Sequence, residues 1–85
     1  MTLVCDGQEY EVVSRDLSLG GIFVVLDRPP PIGAKVVLRM SLPNLKETSF
    51  ISATVRWHGD AGAGLRFDGL RAIEAWALNQ LLSDE

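Results

Sequence analysis

Apolar and polar positions alternate along most of the first 67 residues. In FISATVRWH (50–58) Ile51, Ala53, Val55 and Trp57 fall on one side and Ser52, Thr54, Arg56 and His58 on the other, the period of a half-buried strand. AKVVLRMSL (34–42) repeats the pattern, with Val36, Leu38, Met40 and Leu42 opposed to Lys35, Arg39 and Ser41. TLVCDGQEYEVV (2–13) holds two strand-like runs around Asp6-Gly7, a pair suited to the positive φ angles of a tight hairpin. IFVVL (22–26) is a continuous apolar strand, and GLRFDG (64–69) reads as a last short one. DRPPPIG (27–33) must be a loop, because its prolines remove ladder donors and fix φ. PNLKET (43–48) and GDAGAG (59–64) read as turns. After residue 69 the period lengthens: Leu70, Ile73, Ala77, Leu78 and Leu81 recur at helical spacing, with Trp76 and Leu82 widening the stripe. Asp68 stands where an N-cap would.

These elements predict a mainly β, single domain over residues 1–85. It is a small six-stranded antiparallel barrel over about 2–67, with one C-terminal helix over about 70–82 covering an open end or edge. Trp57 and Trp76 lie on apolar faces and are expected in the core. Arg39, Arg56 and Arg66 fall on polar faces, as solvated surface or the rim of a partner site.

Composition narrows the function. Eighty-five residues with 47% apolar content suit one small globular domain. The single cysteine, Cys5, excludes an internal disulfide and leaves no Cys/His cluster for a metal; a buried, inert thiol is expected. No apolar run approaches the ~18 residues of a membrane span and no signal peptide heads the chain, so a cytoplasmic protein without membrane insertion is expected. The net charge is -3 and the eight basic residues are scattered among acids, which disfavours DNA and RNA as partners. Ser18, Asp16 and His58 could be joined into a hydrolase triad, but there is no nucleophile elbow and no second polar cluster. No catalytic residue, metal or cofactor is therefore expected.

One stretch exceeds what a plain reversal needs. SRDLSLGGIFVVL (14–26) sets Asp16, Ser18, Gly20 and Gly21 immediately before the apolar strand. Asp16 and Ser18 at alternate positions put two short polar side chains on one face, and the glycines can take positive φ and leave the backbone approachable. A carboxylate can accept from the amino and imino edge of guanine; a serine hydroxyl can reach a ring nitrogen or a phosphate. The same two side chains can instead bond neighbouring backbone N–H groups as ordinary turn chemistry.

In order, the chain shows two strands, a D-x-S-x-x-G turn (Asp16, Ser18, Gly21), a strand, a proline/glycine loop, a strand ending Val55-Arg56-Trp57, GAGLRF (62–67) and a helix. Over roughly residues 3–82 this resembles the PilZ domain family. The resemblance implies a module of bacterial cyclic di-GMP signalling, of the short type tied to motility and the envelope, that binds the nucleotide or, having lost that ability, binds proteins. Nucleotide-binding members also carry R-x-x-x-R ahead of the first strand, whose arginines clamp phosphates and stack on guanine. Here no arginine occurs before Arg15.

Each charge-assisted contact is worth ~1.5–3 kcal/mol. Two missing arginines thus remove ~3–6 kcal/mol, or roughly 10²- to 10⁴-fold in affinity. A micromolar site would fall to ~0.1–10 mM. The expectation is therefore a protein-interaction adaptor for another signalling or motility protein, with at most weak cyclic di-GMP binding. A nucleotide site, if used, comprises Arg15, Asp16, Ser18, Gly20 and Gly21. The alternatives are a direct receptor with a substitute arginine (Arg15, Arg28 or Arg56) and a clamp lying upstream of Met1.

Overall fold

A computed structural model describes residues 1–42 and 44–83 of the chain; Pro43, the first residue of the expected PNLKET turn, lies outside them. Among the described residues seven strands precede one helix: β1 (Thr2–Cys5), β2 (Gln8–Glu11), β3 (Val13–Leu17), β4 (Gly21–Val25), β5 (Lys35–Met40), β6 (Ser49–His58), β7 (Gly62–Phe67) and α1 (Ala72–Ser83). All pairings are antiparallel, in the order β2-β1-β5-β6-β7-β4-β3.

The sheet curls until its edge strands, β2 and β3, are neighbours in sequence. Val12 is the corner between them: its side chain is buried and its N–H donates to the Met1 carbonyl at 3.0 Å. This accounts for seven strands rather than six. Val13, expected to end the second strand-like run, instead opens a further strand on β4 with residues 14–17, and the reversal expected over 16–21 is confined to 18–20. Asp6 (φ 51°) and Gly7 (φ 79°) make the expected left-handed hairpin turn.

The inward faces of the strands supply the core. Leu3, Leu38, Ile51, Val55 and Val24 are almost wholly buried. Cys5 is buried too, its thiol facing the Lys35 carbonyl at 3.8 Å; burial, then the Asp6 charge, pushes its pKa up.

The helix begins later than expected, and Asp68 is not its cap. The Asp68 carboxylate accepts from Thr54 Oγ1 at 2.7 Å and lies 3.6 Å from Lys35 Nζ. The start is fixed by Glu74, whose carboxylate accepts both the Arg71 backbone N–H and its guanidinium at 3.0 Å. A third-position glutamate reaching back in this way is one half of a capping box. Glu74 is thereby held facing the barrel with Ala77 and Leu78, all buried. Trp76, two residues on, is carried about 200° around the helix. It is therefore 48% exposed rather than buried, and Ile73 and Leu81 are also exposed.

Candidate functional site

Strand register assembles the site on the outer face of the sheet. One cross-strand row runs Asp16 (β3), Phe23 (β4), Gly64 (β7), Trp57 (β6). A second runs Gly21 (β4), Arg66 (β7), Thr54 (β6), Lys35 (β5). Two outward positions are thus glycines, and the missing side chains leave a trough. It forms a surface cavity of about 310 Å³ whose walls include Asp16, Ser18, Arg56, Trp57 and Arg66.

Two β-bulges aim its side chains. The β3–β4 register shifts between Ser14 and Asp16, making Arg15 the extra residue, and the β6–β7 register shifts between Val55 and Trp57, making Arg56 the extra residue. A bulge reverses the alternation beyond it. Val55 therefore points into the core while Trp57, expected to share its face, turns outward and is 53% exposed. The Trp57 ring packs against Phe23, with centroids 5.1 Å apart and planes tilted by 34°. The Arg15 guanidinium lies over the other aromatic partner, 5.3 Å from the Phe23 centroid. These contacts bury Phe23 although it lies on the outer face.

Neither Gly20 nor Gly21 adopts positive φ; Gly21 and Gly64 act instead through the space that a side chain would fill. A Cβ on Gly21 would overlap the Leu65 carbonyl oxygen across the β4–β7 pair, and one on Gly64 would overlap the Trp57 indole. Gly21 thus permits the close strand approach that follows the turn, and Gly64 is the saddle on which Trp57 lies.

Ser18 is occupied by the turn. Its hydroxyl accepts from the N–H groups of Gly20 and Gly21, each at 3.2 Å, and donates to the Gly21 carbonyl at 3.3 Å. The Asp16 side chain, by contrast, makes no hydrogen bond or ion pair to any described residue, and the same holds for the side chains of Arg56 and Arg66. Of the substitute arginines considered from sequence, Arg56 reaches the cavity and Arg15 covers its aromatic wall. Arg28 lines a different groove with Tyr10 and Glu11.

From sequence Trp57 is assigned to the core and Arg66 to a solvated face or partner rim, so neither enters the expected nucleotide site. Arg66 could have been found from its strand parity with Thr54. Trp57 could not, because nothing in VRW announces the bulge. His58 does not line the cavity; its Nε2 meets the Pro30 carbonyl at 2.8 Å, so that nitrogen carries the proton.

The cavity offers one free carboxylate, two free guanidinium groups and an exposed indole face. That set suits a planar, donor-bearing base joined to anionic groups. Among the described residues no three His, Cys, Asp or Glu side chains are grouped to hold a metal, and no helix is long and apolar enough to cross a membrane. No curated protein matches the chain. The family model of the PilZ domain matches residues 1–84, essentially its whole length, and with the D-x-S-x-x-G residues gathered at one cavity the chain belongs to the PilZ domain family.

Proposed function

We propose that this domain is a direct receptor for cyclic di-GMP, holding a guanine between Asp16 and the Trp57 face and phosphate oxygens on Arg56 and Arg66. PilZ domains are binding modules of cyclic di-GMP signalling. One observation carries the receptor reading: two unpaired arginines share a cavity with the motif's free aspartate and an exposed indole. No R-x-x-x-R spacing occurs in the 85 residues, and on sequence alone that deficit favours an adaptor. Arg56 and Arg66 offset it. At ~1.5–3 kcal/mol each they return ~3–6 kcal/mol, the size of the deficit. Asp16 supplies two acceptor oxygens for the N1–H and N2–H₂ of guanine, and stacking on an aromatic ring adds ~1–3 kcal/mol. Ser18 acts indirectly, by holding the turn that positions Asp16. The test is the double variant Arg56→Ala/Arg66→Ala. Both side chains are exposed and unpaired among the described residues, so the fold should persist while affinity for cyclic di-GMP falls by roughly 10²- to 10⁴-fold. A loss below tenfold would refute the assignment.

A second reading, that the domain also docks onto a protein, is favoured by the outer face of α1. Ile73 and Trp76 are half exposed there, and the helix's one described charged side chain, Glu74, is turned inward. The two readings are compatible, with nucleotide on the sheet and partner on the helix. A Trp76→Gln variant should bind cyclic di-GMP normally yet fail to transmit a cyclic di-GMP-dependent response in cells. An unchanged response would remove the helix from the output.

A further inference from the structure

The cavity beside Asp16 has a neighbour. Arg56 and Arg66 are a shared wall, and beyond them lies a second cavity of about 300 Å³, bounded by Lys35, Thr54 and Asp68. The carboxylate here is built in: Asp68 accepts from Thr54 Oγ1 at 2.7 Å, Lys35 Nζ donates to the same hydroxyl at 2.8 Å, and Nζ stands 3.6 Å from Asp68 Oδ2. Across the outer face the order is therefore aspartate, two arginines, aspartate. From Asp16 on β3 to Thr54 on β6 is three strand intervals, about 14 Å.

Resting on the receptor reading, we propose that this second cavity is the subsite for the other guanine of the same cyclic dinucleotide, so that one ligand molecule spans both cavities with its phosphates on the arginines between them. The ligand has two identical halves joined through two phosphodiesters. A surface that repeats acceptor, cation, acceptor in that order matches both halves at once. Within the second cavity Lys35 Nζ and Asp68 Oδ2 present a donor and an acceptor side by side. Guanine carries the complementary pair on one edge, O6 as acceptor and N1–H as donor. Thr54 keeps the two oriented by bonding both.

The bland alternative is that Lys35, Thr54 and Asp68 are only a surface ion-pair network. It predicts the opposite sign. Deleting Asp68 then removes a negative charge beside two arginines and frees Lys35, which strengthens binding of a dianion. Calorimetric titration of the full chain with cyclic di-GMP separates the two. The proposal expects one ligand per domain for the unmodified protein, and a roughly ten- to hundredfold loss of affinity in Asp68→Ala. Thr54→Val, which leaves every charge in place, should lose several-fold and guards against a folding defect in the first variant. Unchanged or tighter binding by Asp68→Ala, or two ligands per domain, would overturn the subsite. If Asp16→Ala still weakens binding in that case, the receptor reading stands without it. No binding by the unmodified protein would overturn both.

Discussion

At Gly21 a single hydrogen decides whether two strands can meet. An alanine Cβ there would overlap the Leu65 carbonyl oxygen, and since both groups are main chain, no side-chain rotation relieves it. Gly21→Ala should separate β4 from β7 at a cost of ~1–3 kcal/mol, read from urea denaturation. Stability within ~0.5 kcal/mol of the parent would contradict this. The same substitution at Gly64 meets an indole that can swing away, so Gly64→Ala should spare stability but displace Trp57 and, if the domain is the proposed receptor, weaken cyclic di-GMP binding about tenfold or more.

Glu74 is the residue whose charge is most committed to the fold. Burial opposes ionisation, but the Arg71 N–H and guanidinium outweigh it, and the buried Ser49 hydroxyl, with no well-formed hydrogen bond of its own, also favours the charged carboxylate. Its pKa is held below the ordinary value of 4.5. A carboxylate with a lowered folded-state pKa contributes stability that is complete above its unfolded pKa and is lost as pH falls through the folded one. Glu74→Gln should therefore reduce stability at pH 7 and flatten its decline below about pH 4.5. Parallel acid-limb melts of the two proteins would show otherwise if the slope were unchanged.

At the scale of elements, β5 was fully legible: Val36, Leu38 and Met40 are buried as their alternation requires. In β6 the same rule held for Ile51, Ala53 and Val55 and failed at Trp57, because an inserted residue changes parity without altering composition. Since the bulges at Arg15 and Arg56 aim the cavity's side chains, the motif was legible but the cavity around it was not. The helix was legible as a helix but its facing was not. Its apolar residues go nearly all round, and the choice between Trp76 and Leu78 as the buried anchor was made by the Arg71–Glu74 contact at its first turn. Consequently Leu78→Ala should cost ~2–5 kcal/mol, and Trp76→Ala, half exposed already, about 1 kcal/mol or less. Urea denaturation of the two variants would contradict the packing if their order were reversed.

For the whole molecule, the net charge of -3 conceals its distribution. Arg39 and Arg71 are tied to Glu9 and Glu74, whereas Arg56 and Arg66 line one cavity of the curled sheet and Arg15 covers its Phe23 wall, all three without a carboxylate partner among the described residues. A basic site on an acidic domain gains its affinity from close contacts rather than from long-range attraction. The direct test is calorimetric titration of the unmodified protein with cyclic di-GMP. If Arg56 and Arg66 serve as the phosphate clamp, the dissociation constant should be tighter than ~100 μM. Binding no tighter than about 1 mM would show that the cavity lacks a working clamp and would contradict the receptor reading.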